Sequence, residues 1–277
     1  MSDVPAGQAY GFAWRSSAPL DALVQREHEL PAVALLEVSA DQSDPIPVAT
    51  VEPSRAVLVL SPAFSAEVQR APATVVVRSR VPAEDQLVHP ILSRPASLLA
   101  RWHGDEAFHA GAFVLDGGAW AILGSRGAGK STLMAILDRI GRPVVADDLL
   151  VVRGGQALIG PRVADLRPES AERLELLTEG VLVRVGQRHR IGLSSCADAL
   201  PLRGWVALDW GTGIGLERLS AEEALRQVAR ERLWGQLASD NRAVLELAGL
   251  PAYRFWRPRD WARAHEHGRT LVALLAG

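Results

Sequence analysis

Gly124-Ser125-Arg126-Gly127-Ala128-Gly129-Lys130-Ser131, followed by Thr132, is the stretch on which the reading of this chain turns. It matches G-x-x-x-x-G-K-[ST] at every defined position. An apolar run stands before it, Ala119 to Leu123, and a helical pattern after it, Leu133, Met134, Ile136, Leu137 and Ile140. Glycines let successive backbone N–H groups turn inward around an anion, and a helix N-terminus adds partial positive charge. The segment is therefore expected to bind the phosphates of a nucleoside triphosphate. In that pattern Lys130 reaches the β- and γ-phosphates and the Ser131 hydroxyl ligates Mg²⁺. Of the 30 Lys and Arg residues, Lys130 is the only lysine. A compact ammonium reaches across a narrow glycine-walled loop where a wide planar guanidinium fits poorly. A GC-rich genome accounts for the arginine bias elsewhere.

Outward from the loop on its N-terminal side, Ala112 to Leu115 and Ala119 to Leu123 flank Asp116-Gly117-Gly118, a hairpin signal. If Gly117 and Gly118 form the turn, His109 falls opposite Arg126. If Asp116 and Gly117 form it, His109 falls opposite Gly124. Either register sets His109 beside the loop. On the C-terminal side, Gly141 and Pro143 end a helix expected over 131–140. Val144 to Val152 is then apolar and β-branched except for Asp147 and Asp148, and is expected to be a buried strand. In a regular strand only one carboxylate faces the phosphates, whereas a bulge aims both. A solvated turn past a strand end is the plainer alternative. Two carboxylates in so apolar a setting are costly without partners, and Mg²⁺ and a reacting hydroxyl are suitable ones. An imidazole beside Asp147 can orient it as a base.

The set formed by His109, Gly124 to Ser131 and Val145-Ala146-Asp147-Asp148 resembles the C-terminal kinase domain of HPr kinase/phosphorylase. More distantly it is similar to the phosphoenolpyruvate carboxykinases. Leu98-Leu99-Ala100-Arg101 and Phe108-His109-Ala110 look more like the HPr-kinase-related kinases of bacterial peptide-modification clusters, some of which tailor lasso peptides (RiPP biosynthesis). The match is close over residues 100–153 and loose beyond. It implies an α/β P-loop kinase domain that uses ATP and Mg²⁺ to phosphorylate a serine-type hydroxyl on a peptide or small protein. It further implies Gly124 to Thr132 as nucleotide-binding residues, Asp147 as the base, His109 as its support with Lys130, and Ser131 with Asp148 as metal ligands. The family's hexamers allow a homo-oligomer. Where that family has a glycine-rich signature after its paired aspartates, this chain has Gly160-Pro-Arg-Val-Ala-Asp-Leu-Arg-Pro168, and residues 1–90 do not resemble the family's N-terminal domain. Reverse phosphorylase activity and HPr as the acceptor are accordingly not expected. Kinase of a small-molecule alcohol and a non-catalytic nucleotide-binding regulator are the alternatives.

Two domains are expected: a β-rich region over 1–90, with strands near Ala32 to Val38, Ala56 to Leu60 and Thr74 to Val77, and an α/β kinase domain over 91–277. One or two short helices over 86–101, broken near Pro90 and Pro95, connect them. Later helices are expected over 169–177, 221–237 and 260–276, and strands over 180–185, 190–193 and 204–209. Arg162 and Arg167 can contact nucleotide or acceptor, although surface arginines are commoner in so arginine-rich a chain. Tyr253 to Trp261 interleaves aromatics with arginine, which suits an acidic or peptide acceptor or simply a packed terminal strand. His265 and His267 show no metal pattern. A net charge of −2 over 277 residues gives no broad field for nucleic acid or an anionic membrane. The single cysteine, Cys196, excludes an internal disulfide. With no signal-peptide order at the N-terminus and no apolar run near the ~20 residues of a membrane helix, a cytoplasmic protein is expected.

Overall fold

The structure is a computed structural model that describes residues 5–16, 22–25, 30–41, 44, 47–80, 91–176, 181–185, 188–237 and 241–277. The N-terminal sheet holds β1 (Pro5–Ala9), β2 (Phe12–Ser16), β3 (Ala32–Ser39), β4 (Thr50–Val51), β5 (Arg55–Ser61), β6 (Phe64–Gln69) and β7 (Thr74–Ser79). Their order is β1-β2-β3-β7-β6-β5-β4, with β3 parallel to both β2 and β7. The expected domain divide at 90/91 borders residues 81–90, which lie outside the described residues, as do Gln86, Leu87 and Pro90 of the expected connector.

Helix α1 (Ser93–His103) runs through Pro95 instead of breaking there. Pro95 falls in the first turn, where a missing N–H costs no helical hydrogen bond. Next come β8 (Glu106–Phe108), β9 (Gly111–Leu115), β10 (Gly118–Leu123), α2 (Lys130–Arg139), β11 (Val144–Ala146), β12 (Leu150–Arg153), β13 (Gln156–Leu158) and β14 (Val163–Leu166). Helix α3 (Pro168–Arg173), β15 (Val181–Val185), β16 (Arg188–Gly192), β17 (Ala199–Trp210), β18 (Gly215–Arg218), α4 (Ala221–Glu231), α5 (Asn241–Ala248), β19 (Ala252–Arg257) and α6 (Ala264–Ala276) complete the chain.

The main sheet has the order β11-β9-β10-β17-β13-β12-β8, with β19 on β17 and β18 on β19. Strands β10, β17 and β19 are mutually parallel, and the register Leu123↔Ala207 and Trp210↔Arg257 brings their carboxyl ends to one edge. Open sheets bind ligands at that edge, because the connections leaving it diverge around a crevice. Alternation along β10 gives each face its own core. Ile122 packs with Leu133, Met134, Leu137, Val206, Phe255 and Leu271, whereas Leu123 packs with Phe108, Leu150, Trp205, Val228 and Leu247. Helix α2 lies close against β9 because Gly111 has no side chain: a Cβ there would stand 2.9 Å from Met134 Sδ. A third core joins the N-terminal sheet to α1 and to Leu149, Val151, Leu158 and Val163, so the two regions share buried surface. No helix among the described residues is long and apolar enough to cross a membrane.

Four expected elements are shorter than the sequence implies: the helix expected over 169–177 ends at Arg173, that expected over 260–276 begins at Ala264, and two more are cut by turns. The strand over 144–152 is interrupted: β11 ends at Ala146 and pairs with β9, whereas β12 begins at Leu150 and pairs with β8 and β13. Asp148 adopts φ 67°, the left-handed region that aspartate tolerates better than most residues, and this turns the chain between the two positions. The helix over 221–237 stops at Glu231. Arg232 is extended, bridges to Phe108 and is paired with buried Glu106 at 2.7 Å.

Candidate functional site

The hairpin before the loop takes the register Gly118↔Leu115, so Asp116 and Gly117 form its turn, with φ 48° and 71°. Both are positive, the arrangement whose twist matches the strands it joins. Strand β10 then delivers the chain into Gly124 to Lys130 at the sheet's carboxyl edge. Gly127 and Gly129 hold φ of 89° and 84°, and α2 begins at Lys130, so the loop encloses the helix N-terminus as the motif requires.

Lys130 is 8% exposed, and its Nζ donates a 2.5 Å hydrogen bond to the Gly124 carbonyl. Burial lowers the ammonium pKa, and the nearby carboxylates of Glu231, Asp148 and Asp147 act against that shift. Glu231, at the end of α4, is a site residue that motif reading misses. It lies about a hundred residues from the loop in an ordinary amphipathic helix, and only the fold brings it near.

His109 follows β8, whose place is set by Glu106 between buried Arg101 and Arg232 and by Phe108 edge-on to Trp205 at 5.1 Å. The His109 backbone N–H donates to the Glu231 carbonyl at 2.7 Å. Its Nδ1 donates to the Asp148 carbonyl at 3.1 Å and lies 3.4 Å from Asp148 Oδ1. The expected pairing of His109 with Asp147 is thus replaced by one with Asp148, because the left-handed turn swings the second aspartate toward the imidazole. Asp147 stays 5% exposed behind it.

These groups surround a cavity of about 540 Å³. Ser125, Arg126, Gly127, Gly129, Lys130, Ser131 and Thr132 form one end, with His109 and Asp148 alongside. Asp147, Glu231, Gly124 and Ala128 are not on its wall. The opposite wall comes from Trp210, from Arg257 to Trp261, and from Ala264 and His267 of α6, while Arg167 enters from the N-terminus of α3 and Arg188 from β16 of the small sheet β14-β16-β15. The C-terminal part of the aromatic and arginine segment Tyr253 to Trp261 therefore faces the phosphate loop.

Arg257, on the cavity wall, also braces the loop. Its Nη2 donates to the Ala128 carbonyl at 2.7 Å and its Nη1 to the Asp209 carbonyl at 3.2 Å, and the guanidinium lies 4.3 Å from the Trp210 ring centroid. Burial brings its pKa down to about 10, so it remains charged near neutrality. Arg162 takes no part in the cavity. It turns inward to the Val144, Val145 and Ser194 carbonyls and fastens β11. Arg167 is on the cavity wall.

Ser131 and Asp148 offer hard oxygen donors on one cavity, which fits Mg²⁺, an ion that takes one or two protein ligands and completes its shell with phosphate oxygens and water. The described residues contain no cluster of three or more His, Cys, Asp or Glu suited to hold a metal by themselves.

No protein-family model matches the chain, and no curated protein does. Among solved structures, the HPr(Ser) kinase/phosphatase from Coxiella burnetii aligns over 62% of this chain and 99% of that one, at 13% sequence identity and a TM-score of 0.30.

Proposed function

We propose that this chain is an ATP-dependent kinase that transfers the γ-phosphoryl group to a serine-type hydroxyl of a peptide or small protein. The observation that carries the reading is the meeting, on one cavity, of the glycine loop with its buried Lys130 and the His109–Asp148 pair. A phosphate loop alone binds; an adjacent proton acceptor and an oxygen donor for Mg²⁺ are what phosphoryl transfer adds.

Residues Gly124 to Thr132 cradle the triphosphate, and Lys130 neutralises its β- and γ-oxygens. Ser131 and Asp148 would hold Mg²⁺, which would supply positive charge to neutralise the transferring group. Because His109 Nδ1–H donates a hydrogen bond to the Asp148 carbonyl, the neutral tautomer that fits this contact carries its lone pair on Nε2. That nitrogen is the group we assign to take the acceptor's proton. This moves the base from Asp147, which the sequence resemblance favours, to His109. Asp147 remains as buried negative charge beside Lys130.

The cavity's far wall, with Arg167, Arg188 and Arg259 in reach of solvent, suits an acidic or extended acceptor better than a small neutral alcohol. The test is incubation with Mg²⁺ and γ-labelled ATP against serine peptides and small alcohols in parallel. Label on peptide serine supports the proposal. Label on alcohols alone transfers it to a metabolite kinase, and tight ATP binding without label on any acceptor makes the chain a nucleotide-binding regulator.

A further inference from the structure

The cavity continues beyond the loop into the seam between α2 and α6. Its floor there is apolar, made by Leu133 and Ile136 from α2 and Ala264 from α6, all buried. Gly268 lets the two helices close on each other, since a Cβ at that position would stand 2.7 Å from Ile136 Cγ2.

Two polar groups among the residues lining the cavity, one of them in this seam, are left without hydrogen bonds. His267 is 4% exposed and its Nε2 has no partner; the Trp210 indole N–H is likewise out of contact with solvent and unpartnered. A buried polar atom left in that state is costly and marks a place where something else completes the bond. A phosphate chain would gain nothing from an apolar floor. A flat heteroaromatic ring with a hydrogen-bonding edge uses both the floor and the free polar atoms.

We propose that the α2–α6 seam is the nucleoside end of the site: the base of a nucleoside triphosphate lies over Leu133, Ile136 and Ala264 and hydrogen-bonds His267 Nε2. The proposal rests on the triphosphate reading of Gly124 to Thr132, and it separates a nucleotide donor from a bare polyphosphate. Burial, together with Arg257 and Arg263, holds the His267 imidazole below its ordinary pKa. Near neutral pH it is uncharged, so the contact reads a hydrogen-bonding edge and not an anion.

Calorimetric titration of the full chain with magnesium ATP and, separately, magnesium tripolyphosphate tests this. The wild-type chain is expected to bind ATP more tightly than tripolyphosphate. His267→Ala should weaken ATP about five- to tenfold, the worth of one hydrogen bond, and leave tripolyphosphate unchanged. His267→Gln, which keeps a donor and an acceptor, should recover part of the loss. Equal affinity of the wild type for the two ligands overturns the proposal while leaving the phosphate loop intact, as does equal weakening of both by His267→Ala. Binding of neither ligand to the wild type overturns the triphosphate reading and this subsite with it. If His267→Ala does not fold, the wild-type comparison and His267→Gln decide between these outcomes.

Discussion

His109 Nδ1 lies 3.1 Å from the Asp148 carbonyl oxygen and 3.4 Å from Asp148 Oδ1, so the imidazole is oriented by the second of the paired aspartates and not the first. The three side chains are therefore expected to separate kinetically. His109→Ala should lower kcat by about 10²- to 10⁴-fold, the usual worth of a positioned base, with little change in ATP affinity. Asp148→Asn should also raise the Mg²⁺ concentration needed for half-maximal rate. Asp147→Asn should cost less than either. Steady-state kinetics at several Mg²⁺ concentrations distinguishes them, and a loss in Asp147→Asn equal to that in His109→Ala would return the base to Asp147.

Arg257 and Gly129 should behave as one unit. The guanidinium supports the loop through the Ala128 carbonyl, and a Cβ at Gly129 would lie 2.9 Å from Arg257 Nη2 on a backbone at φ 84°. Arg257→Met removes charged hydrogen bonds worth about 1.5–3 kcal/mol each and should weaken ATP binding at least tenfold. Gly129→Ala adds left-handed strain of about 1–2 kcal/mol as well as that contact, with the same consequence. Nucleotide titration of either variant at wild-type affinity would show that the loop does not depend on its support.

Tyr10 caps the junction between the N-terminal sheet and the candidate site. It is fully buried at φ 59°, its backbone N–H donates to the Ile159 carbonyl at 2.7 Å, and its hydroxyl has no hydrogen-bond partner. Burial, then Asp148 and Asp147, raise the phenol pKa well above its ordinary value, so the hydroxyl stays protonated. Tyr10→Phe removes a buried unsatisfied group and should leave the melting temperature unchanged or higher. Tyr10→Ala opens a cavity and should cost about 3–5 kcal/mol. A marked destabilisation by Tyr10→Phe would mean that the hydroxyl is bonded after all.

What the sequence makes legible follows the physics of each feature. The loop, its flanking strand and α2 are legible because their signals are local: glycine spacing, an apolar run and helical periodicity, all between Ala119 and Ile140. The hairpin is legible as a hairpin, but its register is not, since Asp116-Gly117 and Gly117-Gly118 both supply turn residues. The break between β11 and β12 is hidden because Val144 to Val152 is apolar throughout except for the two aspartates, and apolar continuity looks the same in one strand or two. Glu231 reaches the site through the bridge of Arg232 to Phe108 and the His109 N–H bond, and Arg257 and His267 through the parallel register of β17 and β19 and the packing of α6 on α2, which no short window contains. Arg162 resembles Arg167 in sequence and differs from it only in which way the fold turns it.

The pH dependence of stability carries a sign. His267 has a folded-state pKa below the ordinary value of about 6.5, with burial the main cause. The unfolded chain therefore takes up this proton first as pH falls, so the histidine's contribution is fully present above about 6.5 and is lost as pH falls from there toward the folded-state value. Thermal unfolding between pH 7.5 and 5 should show a falling melting temperature, with a shallower slope in His267→Phe. Identical slopes would mean that His267 titrates alike in both states.

Movement of a phosphoryl group from the phosphate loop to a hydroxyl is tested most directly by transfer of label from γ-labelled ATP to serine peptides. The wild-type chain and Lys130→Met are compared, with phosphoserine identified by mass spectrometry. Phosphoserine is expected with the wild type, and a loss of at least about a hundredfold with Lys130→Met. Equal phosphoserine formation by the two proteins, or none by the wild type on any hydroxyl acceptor despite bound ATP, would contradict the kinase reading.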